Sequence, residues 1–172
     1  MRNKVLLIGL VCAAPLVLGT LAYYLHWDVG APSNHGELLP PKELFGPPFV
    51  PRLRGKWVLV AFDVAACDDW CEKKLYYMRQ LRRAQGKDMD RVVRVWVVTS
   101  GGAPRNELLQ AFEGTEVFHA GHAFARRFPG TQVDYVYLVD PLGNLMMRWP
   151  RDADPTRMLK DLQRLMKVAG SG

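Results

Sequence analysis

Lys56-Trp57-Val58-Leu59-Val60-Ala61-Phe62 leads, past Asp63, into Val64-Ala65-Ala66-Cys67-Asp68-Asp69-Trp70-Cys71. The first stretch is a continuous apolar run, as expected of a strand covered on both faces. The second is a turn into a helix predicted over 69–85. Asp68 or Asp69 serves as its N-cap, Leu75, Met78 and Leu81 share one face, and Gly86 stops it. A strand that passes into a helix through C-x-x-x-C is a place where thiol chemistry or soft-metal binding can be built. Cys67 and Cys71 are therefore the candidate catalytic residues, and the same two sulfurs are the candidate metal ligands.

Working outward, Arg91-Val92-Val93-Arg94-Val95-Trp96-Val97-Val98 is a β-branched run and predicts a second central strand. Pro104 suits the first turn of a short helix ending at Phe112. Val117-Phe118 predicts a brief strand, and Phe124 and Phe128 have helical spacing within 120–128. Asp134 to Val139 reads as a strand. Asp140-Pro141-Leu142-Gly143-Asn144 is turn chemistry, and Leu145 to Trp149 returns as the hairpin partner. Asp154-Pro155 opens a last helix with Leu159, Leu162 and Leu165 in phase. The order predicts an α/β domain with a mixed sheet flanked by helices.

Val5 to Leu25 is apolar and free of charge. As a helix it is about 31 Å long, enough to span a bilayer. Arg2 and Lys4 before it, and Tyr23, Tyr24 and Trp27 near its far end, place the N-terminus in the cytoplasm and the rest outside. A cleaved signal peptide is the alternative, with Val29-Gly30-Ala31 as its weak cleavage candidate. Cys12 lies within the run. Residues 30–51, with Pro40-Pro41 and Pro47-Pro48, are predicted to hold no regular element and to act as a stiff linker. The expected division is an anchor at 1–28, a linker at 29–52 and a folded domain at 53–172.

The net charge is +6 and is spread along the chain. Without the aromatic interleaving of a nucleic-acid surface, this excludes nucleic acid as the expected partner. Outside the cytoplasm a thiol pair tends toward the disulfide unless a reductant or metal holds it. Cys71 falls in the first helical turn, where unpaired N–H groups and the helix dipole favour thiolate. Asp68 and Asp69 oppose this. An inert structural disulfide is the competing reading, although closing so small a loop is worth only about 2 kcal/mol, against about 4.7 for a hundred-residue loop. Two thiolates also suit Cu(I). Zinc wants four ligands, and no second cysteine pair exists to supply them.

The strand at 56–62, the C-x-x-x-C at 67–71 and Tyr137-Leu138-Val139-Asp140-Pro141-Leu142-Gly143 resemble the Sco/SenC family. Gly86 to Val92 and Asp140 to Arg148 are similar to a narrower group of Sco-like, single-pass bacterial membrane proteins. The resemblance covers about residues 50–169. It implies a thioredoxin-like fold behind one transmembrane helix, in the bacterial inner membrane, with the soluble domain in the periplasm. It also implies an accessory factor in cytochrome c oxidase biogenesis, by thiol–disulfide exchange or Cu(I) handling at Cys67 and Cys71. Copper is then the cargo, and the partner is the oxidase copper-site subunit or its assembly factors. The family's third ligand, a histidine, falls on Gln132 here, and the prolines beside the cysteines are missing. So is the cis-proline that thioredoxins keep before the strand at Tyr137. A general membrane-tethered oxidoreductase and a scaffold with an inert disulfide are the alternatives.

Among other candidates, His119 and His122 are spaced to meet on one helical turn and to compensate for the missing ligand. His26 and His35 read as interface and linker residues. Trp57, Trp96 and Trp149 read as packing. Trp70, between the cysteines, is expected to be exposed and to mark a docking surface. Ser100-Gly101-Gly102 lacks the flanks of a nucleotide loop or a nucleophile elbow.

Overall fold

The computed structural model describes residues 2–24, 34–44 and 53–169, and within these the side chains of 5–10, 22–23, Pro41, Glu43 and His122 are among those left undescribed. The expectations for His26, Trp27, Val29-Gly30-Ala31 and Pro47-Pro48 lie outside the described residues. Two units are present, 1–33 and 34–172.

In the first unit, α1 runs Arg2–Tyr24 with Pro15 inside it. Among the described residues no helix is long and apolar enough to cross a membrane. The N-terminal stretch is thus helical, and its spanning of a bilayer is not confirmed.

In the second unit the elements are β1 (Glu37–Glu43), β2 (Trp57–Asp63), α2 (Asp69–Arg83), β3 (Val92–Val98), α3 (Asn106–Ala111), β4 (Thr115–His119), α4 (His122–Ala125), β5 (Val136–Val139), β6 (Asn144–Trp149) and α5 (Pro155–Ala169). They form a six-stranded sheet in the order β1-β6-β5-β2-β3-β4. β3 is parallel to both β2 and β4, whereas β5 and β6 run antiparallel to their neighbours, as does β1. This is the mixed sheet the sequence predicts.

Alternation along β2 explains why its apolar run has no break. Trp57, Leu59 and Ala61 join one core with Leu75, Met78 and Leu162, while Val58, Val60 and Phe62 join the other with Phe128 and Tyr137. Successive side chains of a strand point to opposite faces, so a strand covered twice needs apolar residues at every position. On β6 the pairing slips between Leu138↔Met147 and Val139↔Leu145. This single extra residue lets Met147 enter the first core and Leu145 the second, two positions away.

Two expectations are corrected. Glu37–Glu43 is an edge strand on β6, not part of a structureless linker. Pro40-Pro41 is tolerated because it sits at the register shift between Leu38 and Lys42 on an outer strand, where a missing N–H breaks no ladder. The helix expected over 120–128 shrinks to His122–Ala125, because Arg127 and Phe128 bond three residues back, as a tightening 3-10 turn does.

Candidate functional site at the cysteine turn

Asp63 ends β2 and anchors the turn after it. Its Oδ1 accepts from the Val64 N–H at 2.9 Å, and its carbonyl accepts from Thr99 N–H at 2.9 Å. The Cys67 N–H closes a turn on the Val64 carbonyl, and Ala65 N–H donates to Ser100 Oγ at 3.1 Å. The turn is therefore pinned from below by a carboxylate and from the side by the loop after β3.

Asp68 caps α2, accepting the Cys71 N–H at 2.8 Å. Cys67 thus precedes the cap and Cys71 lies in the first turn, as the sequence predicts. The two are joined as a disulfide with Cα atoms 5.1 Å apart. Cys67 has φ +48°, the one positive φ outside glycine among the described residues. A left-handed backbone at a residue with a side chain costs about 1–2 kcal/mol, and such strain gathers at functional sites.

Thiol exchange calls for an accessible pair, and the structure corrects that expectation. Cys67 is 4% exposed and Cys71 1%, so both sulfurs face the core beneath α2, not an open edge. Trp70 is corrected in the same way. It is 7% exposed, and its Nε1–H donates to the Val133 carbonyl at 2.9 Å. Its position on α2 belongs to the same inward stripe as Cys71 and Lys74, which removes it from solvent.

Beside the disulfide lies a buried ion pair that sequence reading missed. Lys74 Nζ, with no exposure, donates to Asp63 Oδ2, the Phe62 carbonyl and the Val133 carbonyl, each at 2.7 Å. Burial pulls the Lys74 pKa down from its ordinary value, and the hydrogen bond and charge of Asp63 pull it back up. The signal was present: Lys74 stands three residues after Cys71 on a helix face that continues with Leu75 and Met78, where an apolar residue is the rule.

The histidine expectation fails on geometry. His119 ends β4 and His122 begins α4, so they do not share a helical turn. His119 is exposed, and its Nε2–H donates to the Gly102 carbonyl at 3.1 Å. Gln132, at the family histidine's place, donates Nε2–H to the carbonyls of Phe128 and Gly130, at 2.8 Å each. Among the described residues no group of three or more His, Cys, Asp or Glu is placed to hold a metal.

The sequence model of the transmembrane-like, thioredoxin-like, C-terminal domain family matches residues 57–169. The chain belongs to that family. No curated protein matches it in sequence. Its fold is similar to that of yeast Sco1 with copper bound, at 17% identity over 80% of this chain and 95% of that one, with a TM-score of 0.57. It is likewise similar to apo Sco1 from Thermus thermophilus, at 19% identity over 80% and 99%, with a TM-score of 0.55. Bradyrhizobium japonicum ScoI with copper bound matches at 24% identity over 65% and 86%, with a TM-score of 0.50. The expected thioredoxin-like α/β fold is borne out, and the resemblance to Sco/SenC proteins holds at the level of fold.

Proposed function

We propose that this protein is a Sco-like accessory factor of cytochrome c oxidase biogenesis that exchanges disulfides through Cys67 and Cys71. The supporting observation is a bonded pair at the head of α2 in a thioredoxin-like fold, with its first cysteine held in a left-handed backbone. In this reading residues 1–28 anchor the chain in the bacterial inner membrane, and the domain formed by β1 and residues 53–172 works in the periplasm on the oxidase copper-site subunit or its assembly factors.

The chemistry balances within two dithiol/disulfide couples. An upstream dithiol first reduces the Cys67–Cys71 bond. The Cys67 thiolate then attacks one sulfur of a client disulfide, forming a mixed disulfide and releasing a client thiolate, which takes a proton. Cys71 loses its proton and attacks Cys67, which re-forms the native bond and releases the second client thiol. Two electrons pass to the client. Cys67 is the attacking residue because it is the less buried of the two residues and precedes the helix, while Asp68 and the core hold Cys71. Reaching it requires residues 64–68 to open.

Copper is the second reading, favoured by the soft donor set alone. Cu(I) as cargo fits the reduced pair as a two-sulfur site, and Gln132 contributes nothing to it while its amide is bound to two carbonyls.

The test is trapping. With full-length Cys71→Ser and an oxidised client peptide carrying two cysteines, a mixed disulfide through Cys67 is expected. A reduction potential well below about −300 mV and no trapped species would identify an inert bond instead. Anaerobic Cu(I) titration of the reduced chain decides the second reading: a stoichiometry unchanged by Cys67→Ala or Cys71→Ala removes it.

A further inference from the structure

Four charged residues are buried among the described ones: Asp63, Lys74, Arg94 and Asp161. Lys74 and Asp63 neutralise each other, and Asp161 accepts from Trp149 Nε1–H, from two backbone N–H groups and from His35. Arg94 has no such counter-charge. It stands on β3 between Val92 and Trp96, both members of the core under α2, at a position where the alternation calls for an apolar side chain. It is 3% exposed and donates Nη2–H to the Glu113 carbonyl at 2.6 Å. Its Nε and Nη1 have no acceptor among the described residues, and neither does Nε of Arg79.

The arginine side chains themselves line a cleft of about 340 Å³, formed by Arg79, Arg82, Arg83 and Arg94 with Glu113 as the one carboxylate in its lining. Arg82 spends part of its charge on Asp90, at 3.1 Å. Arg79 donates Nη1–H to the Ala111 carbonyl and no carboxylate pairs with it among the described residues. Gly114 at the cleft has φ +78°, and a Cβ there would come within 3.1 Å of Arg94 Nη2, so the turn passes where only glycine fits. Desolvation, together with the like charges of Arg82, Arg79 and Arg83, lowers the Arg94 pKa to about 10. A buried cation crowded by others and short of acceptors is costly, and an anion relieves both costs at once.

We propose that Arg79, Arg82, Arg83 and Arg94 form a binding site for a phosphate group. Arg79, Arg83 and Arg94 against Glu113 leave an excess of about two positive charges, which a phosphate carrying roughly −1.5 to −2 balances and a single carboxylate does not. Guanidinium forks match two phosphate oxygens at a time. The cleft is also larger than one phosphate ion, so it admits a phosphoester whose remainder projects outward. That phosphoester is a monoester, either a small soluble one or the headgroup of a phosphatidic acid. The cleft lies along the later turns of α2, and none of its residues belongs to the cysteine turn, so this site and the thiol site stand or fall separately.

The experiment uses the full chain in neutral detergent at fixed ionic strength, titrated with inorganic phosphate, short-chain phosphatidic acid, short-chain phosphatidylcholine and acetate. Saturable binding of phosphate or phosphatidic acid is expected, with a rise in Tm and little response to acetate. Arg79→Gln/Arg83→Gln, at a half-buried and an exposed position of α2, should weaken it about tenfold or more, as loss of charge-assisted hydrogen bonds does. Arg94→Gln should abolish it, and the double variant carries the test if Arg94→Gln does not fold. Preference for phosphatidic acid over free phosphate assigns the headgroup as the source, and equal binding assigns a soluble phosphoester. Absence of saturable binding by every phosphate probe, or binding equal in the wild type and the double variant, overturns the proposal.

Discussion

Replacing Lys74 by methionine is the sharpest test of how the cysteine turn is held. The ammonium is fully buried and supplies three 2.7 Å hydrogen bonds, one of them to the carboxylate of Asp63. Lys74→Met removes the counter-charge from Asp63, whose side chain is 9% exposed, and it deprives the Phe62 carbonyl of its lysine donor. Breaking a buried pair from one side costs about 3–5 kcal/mol, because the remaining charge stays out of water. Val133 keeps a donor in the Trp70 indole, so the lower half of that range is expected. At roughly 2–4 °C per kcal/mol for a chain of this size, Tm should fall by about 6–16 °C. Lys74→Met/Asp63→Leu removes both charges and should recover most of the loss, leaving about 1–2 kcal/mol for the unpaired carbonyl and the lost Val64 cap. The assay is thermal unfolding of the oxidised full-length protein for the wild type, both single variants and the double. A loss under about 3 °C for Lys74→Met, or a double variant as unstable as the sum of the singles, would refute the account of a mutually neutralising pair.

Two other parts of the molecule carry three predictions of their own. In a Cys71→Ala background, Cys67→Gly should be more stable than Cys67→Ala by about 1 kcal/mol, because glycine adopts φ +48° freely; denaturant melts showing alanine equal or better would deny the strain. Asp161 is buried, which raises its pKa, but hydrogen bonds from Trp149, Gly36 and His35 outweigh burial and hold it below the ordinary carboxylate value. Its contribution is therefore complete above that ordinary value of about 4 and lost as pH falls through it toward the lower folded-state value. Acid unfolding followed by Trp fluorescence should begin at higher pH if Trp149→Phe removes one of the bonds, and an unchanged midpoint would contradict this. Asp161→Asn should cost about 2–3 kcal/mol at neutral pH, since it strands donors around a buried oxygen, and a thermal melt within about 2 °C of wild type would dismiss it.

Local pattern determined much of this protein. The unbroken run Trp57–Asp63, the capped helix after Asp68, the Asp140–Asn144 turn and the Asp154-Pro155 helix start were legible because each depends on neighbours within a few residues. The cysteine pair was legible for the same reason: its members stand four positions apart in the chain, at a helix entry. The features that the tertiary structure alone decided involve partners far apart in sequence. Glu37–Glu43 became a strand only because β6 offered an open edge, and Trp70 and both cysteines were buried because α2 lies with that face on the sheet. Lys74 meets Asp63 across the join of β2 and α2, and Arg94 meets Arg79, Arg82 and Arg83 only when α2 crosses β3. A charge at an apolar position can be read from spacing, but whether it has a counter-charge is set by Coulomb energy between packed elements, and one-dimensional order does not contain those distances.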